Sequence, residues 1–218
     1  MRRSFLVVVV ALSLPFTSGC ALLSKSEPVV PRYFSPELAD TSPAPKPDGA
    51  RQLSVRLGRV GGGSYLKERI VYRGSDHEFG FYEDRRWTER PEVYLQRAIE
   101  ASLFEDRGVR RSLAATAPTL TADLVEFEEV RGAIPKVRLR ITYALHDEQT
   151  VFFERTFSIE HPLPPGPDDS RTTRVAASLG EALREAVGRI SSEVVAELAA
   201  APRVKEPPAT APSVADRR

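Results

Sequence analysis

Apolar residues follow two rhythms along this chain. Leu53, Val55 and Leu57 alternate with Ser54, Arg56 and Gly58, a period of two that predicts a half-buried strand. Ile70 to Tyr72 predicts a second strand. Glu78 to Tyr82 predicts a third, with Phe79 and Phe81 on one face. Gly74-Ser75-Asp76 reads as a turn between them, and Gly61-Gly62-Gly63 as a loop. The period then lengthens. Leu95, Ile99, Ser102 and Leu103 keep helical spacing after Pro91. A proline in the first helical turn loses no hydrogen bond, and Gly108 is the expected stop. Period two resumes in Leu120, Ala122 and Leu124, again from Val137 to Leu145, and in Phe153, Phe157 and Ile159. Short turns join these last three strands, which predicts an antiparallel meander. From about Thr172 to Ala200 a continuous stripe of Leu179, Leu183, Val187, Ile190, Val194 and Leu198 predicts a long amphipathic helix.

This order predicts a mixed α/β domain: a largely antiparallel sheet packed with two long amphipathic helices. The alternation implies one packed sheet face and a second that is wet or covered by a partner. Arg138 and Arg140 fall on the polar face. Arg155 follows Phe153 at period two and belongs at the rim of the apolar face. Glu128 and Glu129 fall at a strand end, which predicts solvated carboxylates.

The two ends differ from this domain. Pro28, Pro31, Pro36, Pro43, Pro45 and Pro47 crowd the segment before residue 51. That density disfavours helix and sheet and predicts an extended tether. Pro202, Pro207, Pro208 and Pro212 mark a disordered tail. The expected organisation is 1–19 as a signal peptide, 20–50 as a modified N-terminus and linker, 51–201 as the folded domain and 202–218 as the tail. A formal net charge of +1 gives no concentrated basic surface of the kind nucleic-acid binding needs. The single cysteine, Cys20, excludes an intramolecular disulfide.

Arg2 and Arg3 precede an apolar run from Phe5 to Leu14, and Ser18-Gly19 lead into Cys20. That is the layout of an export signal. The run is about half the length that a membrane-spanning helix requires. Ser18-Gly19-Cys20-Ala21 resembles the lipobox of bacterial lipoproteins, with Thr17 in place of the usual aliphatic residue. The resemblance implies cleavage before Cys20, acyl chains such as palmitate on that cysteine, and a place on the periplasmic side of the membrane. Ala21 is not the aspartate that retains enterobacterial lipoproteins in the inner membrane, so the outer membrane is favoured.

A second resemblance lies inside the domain. Val71-Tyr72-Arg73, Glu78-Phe79-Gly80-Phe81-Tyr82 and Arg86-Trp87-Thr88-Glu89-Arg90-Pro91 resemble the PqiC-like auxiliary lipoproteins of ABC-type transporters. The motif residues are Tyr72, Phe79, Phe81, Tyr82, Trp87 and Pro91, as core or as partner contacts. The resemblance implies a fold similar to the N-terminal domain of TolB, a mixed sheet between helices. It implies an accessory role beside an MCE-domain transporter subunit that moves lipids or other hydrophobic molecules, and assembly into a homo-oligomeric ring. Trp87, Phe79 and Phe81 are expected to bury apolar area near the start of the first helix.

Chemistry is not expected. His77, His146 and His161 share no metal-ligand spacing. Gly61-Gly62-Gly63-Ser64 lacks the lysine of a phosphate loop, and no Gly-x-Ser-x-Gly elbow occurs. The expectation is a non-enzymatic binding protein with no cofactor. The alternative is a stand-alone envelope assembly or cell-wall regulatory lipoprotein of similar fold.

Overall fold

The computed structural model describes residues 29–37 and 53–200. The signal peptide, Cys20, most of the linker and the tail lie outside the described residues.

Among the described residues eight strands form one sheet. Its centre is β6 (Thr119–Val130), paired antiparallel along one whole edge with β7 (Lys136–His146). The next strand, β8 (Val151–Pro162), continues the meander as an edge strand. Two strands share the other edge of β6, end to end and both parallel to it. The first is β2 (Ser54–Gly62), registered from Arg56↔Thr119 to Gly62↔Leu124. The second is β3 (Arg69–Ser75), from Val71↔Glu128 to Arg73↔Val130. Then β4 (Glu78–Trp87) folds back antiparallel on β3. The expected meander and hairpin are both present. The parallel pairing of β2 and β3 with β6 carries no local sequence signature. It needs a long crossover, which β4 and the first helix supply.

That helix, α1 (Pro91–Glu100), begins with proline in its first turn. It is shorter than expected, because Ala101–Asp106 widens into a π-helical turn. Arg107 fastens this turn to the second helix, α2 (Arg171–Ala200). Its guanidinium donates to Ser102 Oγ (2.6 Å), Gly188 O (3.2 Å) and Ser192 Oγ (3.0 Å). Gly108, at φ 64°, then reverses the chain in a conformation that disfavours other residues. It leads into the two-residue strand β5 (Arg110–Arg111) beside β2.

Both helices lie on one face. Val175, Leu179, Leu183, Ile190 and Val194 of α2 share a core with Tyr94, Leu95 and Ile99 of α1 and with Val137, Leu139, Ile141 and Leu145 of β7. Among the described residues no helix covers the opposite face, so the helix cover on both sides implied by the TolB-like resemblance is absent. Arg155 sits at the rim as its period requires, 3.1 Å from Glu193 of α2.

Three expectations change. Gly61 and Gly62 belong to β2, because Asp123 and Leu124 of β6 provide ladder partners that extend the strand through the glycines. The 20–50 segment is not all linker: Arg32–Phe34 forms strand β1, parallel to β4 from Arg32↔Arg85 to Phe34↔Trp87. Prolines flank this strand without interrupting it, as an edge position permits. Beyond it the Pro36 carbonyl lies so close to α2 that a Cβ on Gly180 would stand 2.0 Å from its oxygen. Glu37 accepts from Arg97 of α1 at 2.7 Å. Finally, Glu128 and Glu129 are both fully buried, because arginines distant in sequence reach them.

Candidate docking surface

The sheet face without helices begins with β7. Alternation sends Val137, Leu139, Ile141, Tyr143 and Leu145 into the core and leaves Arg138 and Arg140 on the other side. Antiparallel register sets Arg138 beside Glu160 of β8 and Arg140 beside Glu126 of β6. Arg138 Nε lies 2.7 Å and Lys136 Nζ 2.5 Å from the Glu160 carboxylate. Hydrogen bonds from Lys136 and Arg138 hold the Glu160 carboxyl below the usual carboxylate range. Arg140 Nε lies 3.5 Å from Glu126.

Toward β3 and β4 the ladder of charges gives way to aromatic rings. Phe79 and Phe81 sit opposite Arg73 and Val71, on the same face as Glu128. The two rings meet edge to face at 5.8 Å, and Tyr65 lies 5.3 Å from Phe79. The loop before β3 holds Tyr65, whose hydroxyl donates to Val125 O at 2.9 Å. Burial, with Glu128 and Glu126 nearby, pushes this phenol up to about 12. Beside the rings, Arg73 donates to both oxygens of buried Glu128, at 2.6 and 3.1 Å. Phe79 is still 47% exposed. A fixed, half-wet aromatic group over a satisfied ion pair can take apolar surface from a partner without leaving a charge unpaired.

The motif residues therefore divide among three environments. Trp87, 1% exposed, and Pro91 are core. The Trp87 ring packs on Phe127 at 5.4 Å and on Tyr94 at 6.3 Å. Phe79 and Phe81 lie across the sheet from the helices, not at the start of α1 as expected, because a register shift in β4 between Phe81 and Arg86 reverses the alternation before Trp87. Tyr72 and Tyr82 face α2. They meet edge to face at 5.5 Å, with the Arg131 guanidinium 3.5 Å from the Tyr72 ring centre. Between them Glu129 accepts from Tyr82 Oη (2.7 Å), Arg171 Nε (2.6 Å) and Arg131 Nε (3.3 Å). This cluster fastens the first turn of α2 to the sheet. Sequence reasoning missed Tyr65, Arg73 and both carboxylates' partners. The one available signal was the apolar pair Val125 and Phe127, which alternates out of phase with Leu120, Ala122 and Leu124 and extends β6 through a register shift toward Glu128 and Glu129.

Among the described residues no group of three His, Cys, Asp or Glu side chains is placed to hold a metal ion. No described helix is long and apolar enough to cross a membrane.

The described residues form a one-sided α/β sheet whose bare face carries rings and paired charges. The chain belongs to the ABC-type transport auxiliary lipoprotein component family, whose model matches residues 37–195. No curated protein matches the chain significantly. Protein XCC0632 from Xanthomonas campestris has a similar fold, with a TM-score of 0.63 at 17% identity over 76% of this chain and 96% of its own. A second solved structure, of an uncharacterized protein, gives a TM-score of 0.58 at 15% identity over 76% of this chain and 99% of its own. Identities this low speak to fold alone.

Proposed function

We propose that this protein is the outer-membrane lipoprotein subunit of an MCE-type ABC transport system for lipids or other hydrophobic molecules. Acyl chains on Cys20 hold it to the periplasmic side of that membrane, and its domain receives an MCE-domain subunit. The role is docking, without a chemical step or a cofactor. Membership of the auxiliary lipoprotein family is the observation that carries this reading. The bare sheet face gives it a physical form. Tyr65, Phe79 and Phe81 offer apolar contact, and the Arg138–Glu160 and Arg140–Glu126 pairs offer a polar rim. Anchoring raises the local concentration of that face near its partner, so modest affinity suffices. A homo-oligomeric ring would set several such faces around one transporter tip.

The test is affinity capture of the acylated protein from crosslinked envelopes. Recovery of an MCE-domain subunit is expected, with loss of recovery when Cys20→Ala releases the protein from the membrane. Capture of cell-wall synthesis proteins with no transporter subunit would overturn the reading.

A further inference from the structure

The corner where β1 joins β4 has a chemistry that the docking surface does not use. Register places Arg32 opposite Arg85, Tyr33 opposite Arg86, and Arg86 opposite Arg69 of β3. Lys67 stands just before β3, where Glu68 O accepts from Trp87 N at 2.6 Å. Among the described residues Arg32, Lys67, Arg69 and Arg86 reach no carboxylate, although the neighbouring arginines do. Arg85 lies 3.4 Å from Asp84, and Arg90 lies 3.6 Å from both Glu68 and Glu92. The Arg86 guanidinium donates only to the Tyr82 and Arg85 carbonyls, at 3.1 Å each. Glu83, exposed on β4, is the remaining nearby carboxylate without an ion pair. Among the described residues Arg69 and Arg86 thus share the face of Tyr33, which is 63% exposed, with no carboxylate in ion-pair reach, and Lys67 precedes them, whereas Arg32 falls on the face of Arg85.

Strand β1 is the described element closest to Cys20 in sequence. Pro36 against Gly180 and Glu37 against Arg97 pin β1 to the domain. Pro31 stands eleven residues from Cys20 in sequence. Fully extended, that span reaches at most about 40 Å.

We propose that the Lys67–Arg69–Arg86 corner, with Tyr33 beside it, is the face of the domain that rests on an anionic phospholipid surface. The proposal depends on the reading of Cys20 as the acylated residue. Cations near an anionic leaflet are attracted within a Debye length, and tyrosine suits the interface with its apolar body and polar tip. The pinned strap keeps the corner within that leaflet's reach.

Acylation of Cys20 leaves an introduced cysteine as the only free thiol, so single-site labelling is direct. The acylated full chain carries a polarity-sensitive dye at Tyr33→Cys, or at Val151→Cys on β8 at the opposite edge of the sheet. It is reconstituted in phosphatidylcholine vesicles with or without phosphatidylglycerol. A blue shift is expected at position 33 only, with phosphatidylglycerol only. The pair Lys67→Glu and Arg69→Glu, both exposed side chains, should abolish it, as should high salt. Equal spectra on the two vesicle types, or equal shifts at 33 and 151, in protein that floats with the vesicles would overturn the proposal and leave the anchor reading intact. Acylated-fraction protein that floats with neither vesicle would overturn the anchor reading and the proposal with it.

Discussion

Arg171, the first residue of α2, donates to Glu129 on the central strand at 2.6 Å, and the carboxylate has no contact with solvent. Tyr82 and Arg131 complete its shell. A buried charge so paired is costly to orphan. Glu129→Ala should lower unfolding free energy by about 3–5 kcal/mol in urea titrations, because Arg171 and Arg131 lose their shared acceptor. The double variant Glu129→Leu with Arg171→Met should recover most of the loss, since a buried pair exchanged for apolar groups is often neutral or better.

Two glycines of α2 separate the strap from ordinary helix propensity. Gly180 faces the Pro36 carbonyl, whereas a Cβ on Gly188 would meet nothing within 4 Å. Gly188→Ala should stabilise by about 1 kcal/mol, the propensity difference in a helix interior. Gly180→Val should destabilise by roughly 1–3 kcal/mol through overpacking. It should also free the Thr88 amide, which donates to Phe34 O at 3.0 Å. Faster hydrogen exchange at Thr88 in Gly180→Val, with no change in Gly188→Ala, is the expected readout.

The pattern of apolar residues located the meander, the β3–β4 hairpin, the first turn of α1 and nearly the whole of α2. It did so because period two and period 3.6 are local, and burial enforces them. Strands without such a pattern escaped it. β1 is three residues between prolines, held by Trp87 and Gly180 far along the chain. The parallel seats of β2 and β3 on β6 follow from the crossover and leave no mark on either strand. The candidate docking surface is half legible: Phe79 and Phe81 stand out in the sequence, but their face depends on β4 pairing with β3. Glu128 and Glu129 looked solvated because Arg73 and Arg171 lie 55 and 42 residues away.

Phe79 and Trp87 belong to one sequence motif and should behave in opposite ways. Trp87→Ala should cost about 3–5 kcal/mol, as buried aromatic truncations do. Phe79→Ser, at a half-exposed position, should cost roughly 1 kcal/mol or less yet remove partner capture. Parallel urea titrations and affinity capture separate the two effects.

Lys136 and Arg138 depress the Glu160 carboxyl below its ordinary value. Its folded-state value lies under the unfolded one. The stabilisation is therefore complete above the unfolded carboxylate range and is lost as pH falls through the depressed value. Lys136→Met should raise the Glu160 midpoint toward the usual range in an NMR titration. Stability at neutral pH should change by less than about 1 kcal/mol, because the group is partly exposed.

Docking through the bare sheet face is tested most directly by a photo-crosslinking residue placed at Phe79, with a second at Val93 on α1 as the control, in cells carrying the acylated protein. A covalent adduct with an MCE-domain transport subunit is expected from position 79 and none from position 93. Adducts from 93 alone, or none from 79 in folded and acylated protein, would contradict it.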